Sequence, residues 1–272
     1  MKIRTIASVV IVPVVLLIAL ATPKLVTALC LGILCAIGAY ELLFKTKLVR
    51  QPKMVYYSMA AAFLVALWSY FECPHVVAIV IILMFFMLMF TELMLSQMKI
   101  PFSRVALCFA GGLVVPYLFC SIVRILMLTD GRYYILIPFV IAFLSDASAY
   151  LVGRKIGKHK LSPVISPNKS IEGVVGGLIA AVLGMIIYGV VLQVAFDFRV
   201  NYVFAIIYAL LGTVGGVFGD LCFSVIKRQT GIKDYGNLIP GHGGVLDRFD
   251  SMMIIAPLVE AMLLLMPMAV KG

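Results

Sequence analysis

Residues 202–250 read YVFAIIYALLGTVGGVFGDLCFSVIKRQTGIKDYGNLIPGHGGVLDRFD. An apolar run long enough to cross a bilayer (202–223) leads into 27 residues, 224–250, that hold two Lys, two Arg, three Asp, one His and five Gly. Acidic side chains this close to a hydrocarbon phase hold a metal, a proton or a charged substrate. Cations beside glycines suit phosphate.

The rest of the chain explains the first half of that pattern. It is 64% hydrophobic with a mean hydropathy of +1.15, which identifies an integral membrane protein. Nine apolar segments have spanning length: 6–22, 25–44, 54–71, 76–95, 105–128, 133–152, 173–194, 202–223 and 251–270. The expected fold is therefore all-α, a polytopic integral membrane protein with about nine transmembrane helices. Pro13 interrupts the first run and a second span follows at once, so that run reads as an uncleaved helix, not a signal peptide. About five helices fall in an N-terminal region, 1–128. A C-terminal catalytic region, 129–272, carries the motif loops 145–177 and 220–250.

Charge sets the expected orientation. With the N-terminus inside, the cytoplasmic segments hold Lys2, Arg4, Lys45, Lys47, Arg50, Lys53, Lys99, Arg104, Arg154, Lys155, Lys158, Lys160, Lys169, Lys227, Arg228, Lys233 and Arg248. These are seventeen of the 22 basic residues, as the positive-inside rule requires. The net charge of +10 is then mostly topogenic, attracts anionic headgroups and gives little support to nucleic-acid binding. Cys30, Cys35, Cys73, Cys108, Cys120 and Cys222 mostly lie in spans without CxxC spacing, and read as small apolar packing residues.

The two longest polar insertions, 153–172 and 224–250, fall on the cytoplasmic side by this count, and suggest one site built from both. In the first, Asp146 and Tyr150 share a face of the sixth span. Ser166-Pro167 reads as a turn, and residues 170–172 lead into the next helix. Gly173, Gly176 and Gly177 permit either close helix packing or backbone contact with a ligand; Lys169 serves either substrate or topology. In the second, a helix continuing past Asp220 would align Asp220, Ser224 and Lys227 or Arg228. Asp247 and Asp250 would project together, and a folded-back loop would bring Asp220 and Asp247 close. Facing carboxylates with nearby cations are what a hard-metal site for phosphoryl or nucleotidyl transfer requires. The opposing reading is ion pairs at helix ends, such as Lys233–Asp234 or Asp247–Arg248.

The run S-V-I-K-R-x4-K-D-x-G-x2-I-P-x-H-G-G-V-x-D-R-F-D over 224–250 resembles the signature of the phosphatidate cytidylyltransferases, or CDP-diacylglycerol synthases. So do S-D-x-x-A-Y-x-x-G-R from Ser145 and S-P-x-K-S-x-E-G from Ser166. The resemblance is strongest over about 140–255, and the first four spans match only in being hydrophobic. It implies transfer of CMP from CTP to phosphatidic acid, with Asp220 and Asp247 at a Mg²⁺ centre that a second cation such as K⁺ accompanies. It also implies a homodimer. Asp220, Asp247, Lys227, Arg228 and Asp250 are the expected catalytic residues. Lys169, Ser170, Ser224, Lys233, His242, Gly243, Gly244, Arg248, Asp146 and Arg154 are expected at the substrates, with His242 equally suited to shaping the turn. The location expected is a bacterial inner membrane, with the N-terminus and site cytoplasmic.

Three other readings compete. A CTP-dependent lipid or prenol kinase would share the metal site but move the terminal phosphate. A CDP-alcohol phosphotransferase needs D-G-x2-A-R followed by G-x3-D-x3-D, which is absent. A transporter would spread charges through the midplane, where only Glu41, Glu92 and Glu260 lie; these read as interfacial or helix-paired.

The orientation predicts an accessibility pattern. After replacement of the background cysteines, single cysteines at Lys158 and Gly236 should react with an impermeant maleimide from the cytoplasmic side, and one at Asp197 only from outside. Labelling of 158 and 236 from opposite faces would refute the topology.

Overall fold

Apolar runs of about 20 residues have no stable option in hydrocarbon except to satisfy their own backbone as helices, and that is what these runs do. The computed structural model describes residues 20–71, 74–97, 99–236 and 243–271. Among them, seven helices are long and apolar enough to cross a membrane. The expected first span, 6–22, lies almost wholly outside the described residues. The chain packs as two compact units: residues up to Met127 with Lys227–Phe249, and Leu128–Ile226 with Asp250 onward.

In the first unit, α1 (Lys24–Tyr40) runs on through a π turn (Glu41–Lys45), followed by α2 (Pro52–Phe71), α3 (His75–Leu95) and α4 (Phe102–Met127). A second π turn at Ala110–Val114 and a break at Cys120 interrupt α4. The core gathers Leu43, Val49, Met54, Val55, Phe85, Met89, Val105 and Cys108. Helix α3 buries only Phe85 and Met89; a helix apolar on every face and so exposed belongs in lipid. Cys35 and Cys120 are buried free thiols whose sulfurs share a hydrogen bond at 3.7 Å without a disulfide, as packing residues.

In the second unit, α5 (Gly131–Ile156) is followed by a hairpin, β1 (Lys160–Ser162) and β2 (Ser166–Ser170), and then by α6 (Ile171–Phe196). Next come β3 (Phe198–Val200) and α7 (Tyr202–Thr230). After the short α8 (Leu246–Phe249), which belongs to the first unit, α9 (Met252–Leu265) and β4 (Ala269–Lys271) complete the chain. Ser170 caps α6, its hydroxyl accepting the Gly173 N–H at 3.2 Å. Helices α5 and α6 approach through glycine: a Cβ at Gly173 would lie 2.7 Å from the Ala149 carbonyl, and one at Gly177 would lie 2.9 Å from that of Ser145.

Two expectations need correcting. Ser166 and Pro167 lie in β2, and the turn falls at residues 163–165; Pro at a two-stranded hairpin's edge sacrifices no needed N–H. The last span is shorter than 251–270. Its helix ends at Leu265, because Pro267 cannot continue it and Ala269–Lys271 instead pair antiparallel with Phe198–Val200. The architecture is thus nearly all-α, with one small hairpin and one short antiparallel pairing of distant segments.

Candidate functional site

In the second unit, the motif residues surround a cavity of about 230 Å³. Helix α5 contributes Ser145, Asp146, Ala149 and Tyr150; the hairpin contributes Asn168 and Lys169; α6 contributes Gly173, Val174 and Gly177; α7 contributes Thr213, Val217 and Asp220. Asp220 is the charged hub. Its Oδ2 lies 2.5 Å from Lys169 Nζ, and its Oδ1 accepts from Ser224 Oγ at 3.1 Å, one turn along the same helix. Both members of the ion pair keep some exposure, 24% for Lys169 and 30% for Asp220. Asp146 Oδ2 accepts from Ser251 Oγ at 3.4 Å, and Asp250 Oδ1 takes the Ser251 N–H at 2.9 Å.

The hairpin that presents Lys169 is clamped at its base. Glu172, in the first turn of α6, accepts the N–H groups of Lys158 (3.2 Å) and His159 (3.1 Å) and meets His159 Nδ1 at 2.6 Å. The carboxylate also favours the helix N-terminus electrostatically. Arg154 is exposed in the last turn of α5, 3.4 Å from the Tyr150 hydroxyl.

In the first unit, Asp247 is a second hub, its side chain only 3% exposed. Lys227 Nζ lies 3.0 Å from Oδ1, while Oδ2 accepts the N–H groups of Tyr235 (2.7 Å) and Gly244 (3.0 Å). Lys227 Nζ also sits 5.5 Å from the Tyr235 ring centroid, a cation–π distance. Gly243 has φ +85°, and a Cβ there would press on the Asp247 carboxylate, so glycine is required on both counts. Arg228, Lys233 and Arg248 are exposed. His242 lies outside the described residues.

Sequence reasoning assigned no site role to Glu41. This carboxylate, 3% exposed at the start of the π turn, accepts from Val245 N at 3.1 Å and Leu246 N at 3.0 Å. A Cβ at Gly236 or Gly244 would collide with it. Its partners are therefore backbone amides at the start of α8, not a side chain of a neighbouring helix, whereas Glu92 meets Tyr57 and Lys53 at 3.4 and 3.8 Å. The available signal was a lone carboxylate in an apolar run, which must find donors somewhere, beside a glycine-rich loop with amides to offer.

Chemically, each hub pairs an oxygen-donor carboxylate with an ammonium. Such sets suit polyanions and hard cations, because either can replace one partner of the pair without stranding the other. Among the described residues, no three of His, Cys, Asp and Glu group as a metal cage.

The chain matches the family model described as "Cytidylyltransferase family" over residues 2–266. It is similar to the phosphatidate cytidylyltransferase of Staphylococcus haemolyticus (strain JCSC1435), 46% identical over 138 residues, 51% of this chain and 52% of that protein. To its counterpart in Staphylococcus epidermidis (strain ATCC 12228 / FDA PCI 1200) it is 44% identical over 136 residues, 50% of this chain and 51% of that protein. Against the phosphatidate cytidylyltransferase of Staphylococcus aureus (strain COL) it is 35% identical over 272 residues, 97% of this chain and 99% of that protein. The chain thus spans about half the length of the first two relatives in these alignments and nearly all of the third.

Glu41 yields a prediction that does not depend on the reaction. Glu41→Ala strands two buried amides, each costing about 1–3 kcal/mol. Hydrogen exchange at Val245 and Leu246 should accelerate by roughly ten-fold or more, with α2 unchanged. Unaltered exchange at both amides would show that the loop holds itself.

Proposed function

The chain belongs to the cytidylyltransferase family, and from that membership we propose that it transfers CMP from CTP to phosphatidate, releasing pyrophosphate and forming CDP-diacylglycerol. The observation that supports this best is the Lys169–Asp220 pair on a cavity walled by apolar helices. A lipid phosphomonoester needs a cation at such a place and apolar walls beyond it.

In the proposed reaction, a phosphate oxygen of the lipid forms a bond to the α-phosphorus of CTP as the bond to the pyrophosphate oxygen breaks. The lipid is itself the nucleophile, so the protein's work is positioning and charge compensation. Lys169 holds phosphate oxygens in the cavity. Lys227, Arg228, Lys233 and Arg248 hold those of the nucleotide, the arginines through two-pronged contacts. Ser170, Ser224, His242, Gly243 and Gly244 shape or donate to the phosphate sites.

We assign Asp220 and Asp247 to Mg²⁺, with Asp250 secondary and K⁺ as a candidate companion, on the family resemblance of these positions. The donors fit: both are carboxylates already facing a cation, the oxygen type Mg²⁺ demands. When bound, the metal would supply charge neutralisation at phosphate. The chain is also proposed to act as a homodimer in a bacterial plasma membrane with the site on the cytoplasmic side, as charge counting and the resemblance suggest.

The test is incubation of purified protein with ring-labelled CTP, phosphatidate and Mg²⁺. Label should enter the lipid phase only when all three are present; lipid labelled from γ-phosphate instead would establish a kinase. Asp220→Asn and Asp247→Asn should each slow turnover by a factor of hundreds to thousands, about 3–4 kcal/mol, in protein that still folds. More than a tenth of wild-type activity in either variant would remove that residue from the metal's ligands.

A further inference from the structure

The cavity is lined by a buried polar group that the proposed chemistry does not use. Thr213 is 1% exposed, lines the cavity, and its hydroxyl has no hydrogen-bond partner. A threonine inside a helix ordinarily donates to a carbonyl one turn back, and an orphaned buried hydroxyl is uncommon. Among the described residues only two other buried side-chain atoms share this condition, Gln51 Oε1 and Trp68 Nε1, and neither lines this cavity.

Its position on α7 gives the distance to the charged end. Thr213, Val217 and Asp220 lie at helical spacing on one cavity wall. Seven residues at 1.5 Å rise place Thr213 about 10 Å from Asp220 along the axis. The same cavity is lined by Val174, Gly177 and Val217, and on α5 by Ser145 and Asp146. The neighbouring positions on both helices, Val175 and Ile179 on α6 and Val214 and Phe218 on α7, are exposed apolar side chains.

We propose that the Thr213 hydroxyl donates to a glycerol ester carbonyl of the lipid substrate, and so selects diacyl over ether-linked glycerophosphates. This rests on the reading of the cavity as the phosphatidate site. An ester carbonyl lies roughly 6–7 Å from phosphorus in an extended glycerophosphate. A hydrogen bond of ~3 Å then closes the interval from a phosphate at Lys169 to Thr213. The carbonyl is the first strong acceptor such a lipid presents below its phosphate, stronger than the alkoxy oxygen before it, and the acyl chains continue along the exposed apolar positions.

The experiment compares binding of diacyl phosphatidate and its dialkyl ether analogue to the full chain in nanodiscs, for wild type, Thr213→Val and Thr213→Ser. Wild type should bind the diacyl lipid about ten-fold tighter, the ratio one hydrogen bond to a buried donor provides. Thr213→Val should bring that ratio close to one by weakening the diacyl lipid, and Thr213→Ser should largely restore it. A wild-type ratio near one, a ratio untouched by Thr213→Val, or equal weakening of both lipids would each overturn the proposal. Binding is read without turnover, so failure of the CTP assay would reject the reaction and leave the hydroxyl's role to be decided here.

Discussion

A charge set among apolar helices must be answered by the protein, since hydrocarbon offers neither water nor counter-ion. In this chain the answers differ in kind. Lys227–Asp247 is 15% and 3% exposed, and the carboxylate also takes two backbone amides. A pair so enclosed, with two amides on the same carboxylate, orders its loop as well as offering that carboxylate to a metal. Lys169–Asp220 is about a quarter exposed, and pairs of that kind contribute only about 0–1 kcal/mol. Folding gives little reason to keep it; a polyanion entering the cavity gives a strong one.

The same constraint accounts for Glu41. Both its oxygens are saturated by loop amides, so the apolar helix α1 positions the segment that opens α8, on which Asp247 sits. The glycines around it leave the space that a carboxylate and two amide donors need. Hairpin and loop are each organised from beneath by one glutamate, Glu172 for the first and Glu41 for the second; the hairpin presents Lys169 to Asp220, and α8 presents Asp247 to Lys227 at the end of α7.

Most of the helices could be read from the sequence because an apolar run of spanning length has one stable conformation in lipid. The chemistry could be read because polar residues are scarce enough for each cluster to stand out. Asp220, Ser224 and Lys169 were expected at one site and do meet. What sequence could not give was tertiary or local. Ser166-Pro167 forms a strand because a partner strand lies across from it, and the last helix stops at Leu265 because β3 captures the residues beyond. Glu41 looked isolated because its partners are backbone amides about two hundred residues away, which no side-chain pattern marks. Thr213 looked like one more small residue in a helix, and its missing partner is visible only in three dimensions.

The central claim is that the Lys169–Asp220 pair exists for the reaction and not for the fold, and paired measurements on Lys169→Met, Asp220→Asn and the double variant test it most directly. The account predicts melting midpoints within about 2–4 °C of wild type for all three, the shift expected of a pair worth about 1 kcal/mol. It also predicts CMP transfer reduced by at least a hundred-fold in each, with no recovery in the double variant. Single variants that lose activity only as far as they lose stability, with both regained when the two changes are combined, would contradict it.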